Sequence, residues 1–184
     1  MPSTWQKKEF VHQLRRGGLV AYPTEAVYGL GCDPLNSSAV HALLELKRRS
    51  QNKGLILIAA DYSQLSTYVK TLPDSVLKKI QQPTKDAITW LLPAQDWVPS
   101  WLTGGRSTIA VRLVQHALAK ELCQLAQMAL VSSSANISGY NALTTGHHTR
   151  LKFVGKAVYT INGRVGTAAK PSQIIDALSG EKFR

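Results

Sequence analysis

Lys47 and Arg49 flank Arg48 in an unbroken cationic run. A lysine brings a compact point charge and an arginine a planar fork, the two ways a side chain grips phosphate oxygens. The same run at a helix C-terminus would also complement the helix dipole, so the residues alone leave both readings open. A further cation, Arg112, closes the segment Ser107-Thr-Ile-Ala-Val-Arg112, whose end is otherwise apolar. A guanidinium on a buried strand needs an anion, either a ligand carboxylate or phosphate or an internal salt-bridge partner. The stretch Val131-Ser-Ser-Ser-Ala-Asn-Ile-Ser-Gly139 crowds hydroxyls and an amide behind a short apolar run. Such donors suit phosphate oxygens, a metal shell or a nucleotide edge, and equally a capped turn. In Tyr22-Pro-Thr-Glu-Ala-Val-Tyr-Gly-Leu-Gly-Cys32, Pro23 stops a strand and Thr24 offers a hydroxyl just beyond it. Gly29 and Gly31 permit close backbone approach, which a ligand or merely an elaborate turn would use.

Other chemistries find no support. Gly29-Leu-Gly31 continues as Cys-Asp-Pro34 and lacks the third glycine of a dinucleotide fingerprint, and no G-x-x-x-x-G-K-[ST] occurs. Ser50-Gln-Asn-Lys53 spells S-x-x-K without its companion motifs. His147 and His148 are adjacent, so they rarely aim at one ion, and a solvated loop pair is expected. Cys32 and Cys123 stand far apart and read as reduced core thiols. No dedicated protein metal site is expected.

The elements that must position these groups follow from periodicity. Ser3 and Gln6 spell a capping box before the apolar stripe Phe10, Val11 and Leu14, a helix ended by Gly17-Gly18. Residues 19–22 and 55–60 read as buried strands, 87–92, 107–113, 129–132, 157–161 and 172–178 as further strands. Residues 37–49, 73–82 and 116–126 read as helices, as does a stretch after Asp61 carrying Leu65, Tyr68 and Val69. The segment 138–150 is the most loop-like. Strands and helices alternate, which predicts one α/β layered domain over residues 1–184 with a mixed, twisted sheet. A length of 184 residues with 44% apolar residues suffices for a real core. No run approaches a membrane span, and the first nine residues lack the apolar stretch of a signal peptide, so a cytoplasmic protein is expected. Lys and Arg total 22 against 11 acids, a formal charge of +11, so the protein should attract polyanions, whether RNA or a nucleoside triphosphate.

Together the motifs YPTEAVYGLGC (22–32), KRR (47–49) followed by KGLILIAA (53–60), STIAVR (107–112), SSSANISG (132–139) and KPSQIIDALSGEKFR (170–184) resemble the YrdC family of threonylcarbamoyl-AMP synthases. The resemblance runs from about residue 8 to Arg184 and looks like the short bacterial form, without the extra C-terminal domain of longer relatives. It implies a YrdC-like domain with a basic concave face. It implies a nucleotidyltransferase, an L-threonylcarbamoyladenylate synthase, that joins L-threonine, bicarbonate or CO2, and ATP into threonylcarbamoyl-AMP and pyrophosphate. The implied cofactor is Mg²⁺ arriving with ATP. Lys47 and Arg49 would act on the phosphates as the catalytic pair, and Ser134 and Asn136 would complete the ATP site. Thr108 and Arg184 would contact the nucleotide. Thr24, Ser132, Ser172 and Arg112 would line the threonine pocket, with Arg112 on the carboxylate. The family product goes to a transferase complex that modifies adenosine 37 of certain tRNAs.

Two departures stand out. The family's W-P-G-P-x-T stretch is Thr84-Lys-Asp-Ala-Ile-Thr89 here, of which only Thr89 survives. The strand after the cationic run, Leu55-Ile-Leu-Ile58, lacks the histidine of longer relatives. The alternative to an enzyme is a non-catalytic basic RNA-binding module, with direct binding of tRNA or double-stranded RNA. No RNP motif, KH loop or basic–aromatic stripe accompanies that reading.

Overall fold

The computed structural model describes residues 1–84, 86–137, 139–168 and 172–183. Along the chain run α1 (Thr4–Arg15), β1 (Leu19–Pro23), β2 (Tyr28–Gly31), α2 (Ser37–Leu46), β3 (Ile56–Ala59), α3 (Ser63–Ser66), α4 (Asp74–Gln81) and β4 (Ile88–Pro93). There follow α5 (Ser100–Thr103), β5 (Thr108–Leu113), α6 (Ala117–Ala126), β6 (Leu130–Ser134), α7 (Gly146–Lys152), β7 (Val158–Thr160) and β8 (Gln173–Asp176). The strands form one eight-stranded mixed sheet in the order β7-β1-β2-β6-β3-β5-β4-β8. Pairs β1–β7, β3–β5 and β4–β8 are parallel and the other four antiparallel.

Side-chain alternation sorts the residues onto two faces. One face carries Ala21, Tyr28, Leu30, Leu57, Ala59, Trp90, Leu92, Ile109, Val111 and Val131 into a large core with α2 and the α3–α4 region. The other face carries Val20, Tyr22, Ile58 and Leu130 against Phe10 and Leu14 of α1 and Leu122, Cys123 and Ala126 of α6. Each leucine or phenylalanine buried there contributes about 1.5–3 kcal/mol. The helices cover only part of this second face. Beyond them the same alternation presents Ser132 and Ser134 of β6, Thr108, Ala110 and Arg112 of β5, and Thr89 of β4. Gly29 and Gly31 of β2 contribute no side chain there.

Local chemistry explains the boundaries. Ser3 and Gln6 make both bonds of the capping box, and Asn36 caps α2 by accepting from Ala39 N at 2.9 Å. The expected helix over 37–49 stops at Leu46, because Arg48 turns to φ 48° and the chain leaves the helical path. The helix expected after Asp61 shrinks to one turn. Asp61 Oδ1 accepts from Ser63 N at 3.0 Å without capping α3, and Tyr68 and Val69 reach the core from the turn beyond. β2 was not anticipated, since two of its four residues are glycine. Those glycines are required: a Cβ on Gly31 would lie 2.2 Å from the carbonyl oxygen of Val131. α7 forms inside the segment expected to be loop, its Thr145 side chain accepting from His148 N.

Candidate functional site

The cationic run takes its geometry from the end of α2. Lys47 is the C-cap and only 3% exposed. Its Nζ reaches across to β6 and donates to the backbone carbonyls of Ser134 and of Asn136, the latter at 2.6 Å. Two of the three ammonium protons are thereby committed. Arg49 Nη2 donates to the Gly54 carbonyl at 3.0 Å. The lysine therefore does not serve chiefly as a counter-charge for its own helix; it joins the cationic run to the hydroxyl-rich stretch. In that stretch Ser134 Oγ donates to Asn136 Oδ1 at 2.5 Å, and Asn136 Nδ2 donates to the Tyr140 carbonyl at 2.5 Å. Ser134 remains exposed.

A second group gathers around Gly29. A Cβ placed there would lie 3.2 Å from Thr24 Cγ2, 3.2 Å from the Tyr22 ring and 3.3 Å from Ser132 Oγ. Thr24 and Ser132 thus converge on one point, and both are buried. Thr24 Oγ1 donates to the Val27 carbonyl at 2.7 Å, which fixes the hydroxyl and leaves its oxygen free to accept. Tyr22 donates to the Val131 carbonyl at 3.1 Å, and burial pushes its phenol far above the usual range.

Arg112 lies farther along the same face, 9% exposed. It is not at the sheet edge, because β4 and β8 lie outside β5. It is also not without an internal partner: its Nη2 stands 3.7 Å from Glu25 Oε2. That spacing is too long for a hydrogen bond, and both Arg112 Nε and Glu25 Oε2 are buried without a hydrogen-bond partner. Thr89, one step along the ladder from the Trp90–Val111 pair, shares a 2.8 Å hydroxyl–hydroxyl bond with Ser172. Thr108 opens β5 on the same face, half-buried. Arg184 lies outside the described residues.

The surviving threonine of the otherwise replaced 84–89 stretch therefore has a structural reason, being fully buried against Ser172. A family model described as "Telomere recombination", the Sua5/YciO/YrdC domain, matches residues 12–184. The chain belongs to the Sua5/YciO/YrdC family. It is 45% identical over 181 residues to the threonylcarbamoyl-AMP synthase of Yersinia pestis (strain Pestoides F), covering 96% of this chain and 93% of that one. A solved structure of P. abyssi Sua5 complexed with L-threonine superposes with a TM-score of 0.84 at 34% identity. That match covers 95% of this chain and 51% of Sua5, so the chain spans about half of that relative's length. E. coli YciO shares the fold, with a TM-score of 0.77 at 24% identity over 96% of this chain and 85% of that one.

Within this Sua5/YciO/YrdC domain, sequence reasoning gave no role to Glu25 or Tyr22, and named Thr89 only as the survivor of a replaced stretch. Glu25 carried a usable signal: a buried arginine was expected to need an anion, and Glu25 is the acid in the motif that also supplies Thr24. The cysteines are buried and unbridged as expected, and burial pushes the Cys123 thiol up to about 12. Among the described residues no group of three or more His, Cys, Asp or Glu could hold a metal ion. His147 and His148 fall on α7.

Burial, reinforced by Arg49, lowers Lys47 to about 8. A depressed lysine pKa means the charged form is disfavoured in the folded state, so its charge disappears as pH rises through about 8. If Lys47 holds phosphate, the KM for ATP should rise above that pH. The Lys47→Arg variant, charged throughout, should lack the rise. A wild-type KM for ATP that stays flat to pH 9.5 would remove Lys47 from the phosphate site.

Proposed function

We propose that this chain makes threonylcarbamoyl-AMP from L-threonine, bicarbonate or CO2, and ATP, releasing pyrophosphate. The observation that carries the reading is a pair of anion-seeking cations, Lys47 reaching the end of β6 from α2 and Arg112 on β5. Lys47, tied to Ser134 and Asn136, suits a triphosphate. Arg112, its Nε unpartnered, suits a carboxylate. Thr24 and Ser132 add small hydroxyl residues that converge beside Gly29. The 45% identity to a relative of that name supports the same reading.

The threonine amine adds to CO2 and loses a proton, giving a carbamate. A carbamate oxygen then forms a bond to the α-phosphorus while the bond from that phosphorus to the bridging oxygen breaks, and pyrophosphate leaves with that electron pair. No covalent enzyme intermediate is needed. The protein's contribution is positioning and charge neutralisation. Lys47 and Arg49 face the negative charge that grows on the leaving group, while Ser134 and Asn136 orient the phosphates and Thr108 contacts the nucleotide. Arg112, Thr24, Ser132 and Ser172 hold the amino acid. Ser134 Oγ and Asn136 Oδ1 are hard oxygen donors that would face the Mg²⁺ of MgATP, which would supply charge neutralisation on the phosphates when bound.

The reaction makes the chain a nucleotidyltransferase acting in the cytoplasm, whose product passes to the complex that modifies tRNA adenosine 37. No helix among the described residues is long and apolar enough to cross a membrane. The test is pyrophosphate release from MgATP with threonine and bicarbonate supplied together, singly and not at all. Release should require both. ATP turnover indifferent to threonine would sink this reading in favour of another adenylating reaction.

A further inference from the structure

Glu25 touches three separate segments. Its Oε1 accepts from the backbone N–H of Gln115 at 2.8 Å and of His116 at 3.3 Å, at the start of α6. Its backbone carbonyl accepts from Ala168 N at 3.0 Å, while the Thr24 carbonyl accepts from Gly166 N at 2.9 Å. Gly166 packs so closely that a Cβ there would lie 2.6 Å from the Glu25 carbonyl oxygen. The segment 161–168 is pinned further along. The Tyr28 hydroxyl bonds both the carbonyl and the N–H of Gly163, and His116 Nε2 lies 2.9 Å from the Arg164 carbonyl. Because His116 Nδ1 accepts from Ala119 N, the ring proton is assigned to Nε2, which donates to that carbonyl.

With Oε1 held by two amides, the carboxylate cannot turn, and Oε2 is left facing Arg112 at 3.7 Å. Burial alone would raise the Glu25 pKa, but Arg112 and the Gln115 and His116 amides outweigh it and hold the group below its ordinary value. Glu25 is therefore ionised at neutral pH. A close bidentate pair would use up the guanidinium. The observed spacing fixes Arg112 by charge and leaves its donors for an external partner.

We propose that Glu25 is a positioning residue for amino-acid binding: it aims the Arg112 fork at the substrate carboxylate and ties that aim to the segment 161–168. The inference rests on reading Arg112 as the carboxylate ligand. In Glu25→Gln the amide oxygen replaces Oε1, so the amide NH2 faces the guanidinium, and two donors confront each other. The fork then turns away from the substrate.

The experiment measures pyrophosphate release in Glu25→Gln, Arg112→Lys and the double variant, with melting temperatures alongside. Glu25→Gln should raise the KM for threonine about 10-fold and leave the KM for ATP within about 2-fold. It should add much less in the Arg112→Lys background, because coupled residues are not additive. If Arg112→Lys raises the KM for threonine and Glu25→Gln does not, whatever its melting temperature, the positioning role is overturned while the carboxylate site stands. If Arg112→Lys leaves threonine binding unchanged, the carboxylate site itself is misplaced and the inference falls with it. Should Glu25→Gln fail to fold, Glu25→Asp carries the same test. It keeps the charge but shortens the reach, so a threonine-selective rise supports the proposal and an unchanged KM overturns it.

Discussion

Replacing Lys47 with alanine should lower kcat/KM about 10²-fold or more, roughly 2.7 kcal/mol of transition-state stabilisation, and Arg49→Ala should do the same. The structure adds a reason beyond charge. The Lys47 ammonium holds the carbonyls of Ser134 and Asn136, so its loss frees the end of β6 as well as removing a cation from the leaving group. Two part-buried carbonyls then lose a donor, at up to about 1–3 kcal/mol each where water cannot replace it. A lower melting temperature is therefore expected for Lys47→Ala, without loss of the fold. The measurement is kcat/KM for MgATP at saturating threonine, with circular dichroism as the check on folding. A folded Lys47→Ala that keeps near-normal activity would return the cationic run to the role of helix-end counter-charge.

The helices and strands that alternate cleanly were legible because their signals are local. Phe10 and Leu14 with the Ser3 cap announce α1, and Ile109 and Val111 announce β5. β2 was hidden because Gly29 and Gly31 weaken strand propensity; their reason, the close packing of Tyr22, Ser132 and the Val131 carbonyl, exists only in three dimensions. The convergence of Thr24 with Ser132 depends on β1, β2 and β6 becoming neighbours, which no spacing along the chain encodes. Likewise Lys47 meets Ser134 and Asn136 only because the end of α2 and the end of β6 become neighbours in the folded chain. The residue types at the site were readable as chemistry, and the family resemblance placed them in roles. Glu25 escaped because its partner, Arg112, is 87 positions away in the sequence, on a strand that β6 and β3 separate from β2 in the sheet.

Arg112→Lys should raise the KM for threonine at least about 10-fold while changing the KM for ATP less than about 2-fold. Lysine keeps the charge but loses the planar fork, so a bidentate carboxylate contact becomes a single one. The sequence left a ligand anion and an internal partner both open for Arg112. The structure supplies an internal one: Glu25 is the buried counter-charge at 3.7 Å, and its Oε2 makes no hydrogen bond. The consequence differs between substitutions. Lysine can still neutralise Glu25, so Arg112→Lys should fold and melt near the wild-type temperature. Arg112→Met leaves an ionised carboxylate without its cation, and breaking a buried pair in this way costs about 3–5 kcal/mol at the upper end. The 3.7 Å spacing places this pair below that end. Adding Glu25→Gln to Arg112→Met should recover part of the lost stability without recovering threonine binding, because the stranded charge is gone but the fork is still missing. Melting temperatures and threonine KM values across these variants separate the two roles. If Arg112→Lys weakens ATP binding and leaves threonine untouched, Arg112 is a phosphate ligand. The amino-acid pocket would then have to be rebuilt around Thr24, Ser132 and Ser172 without it.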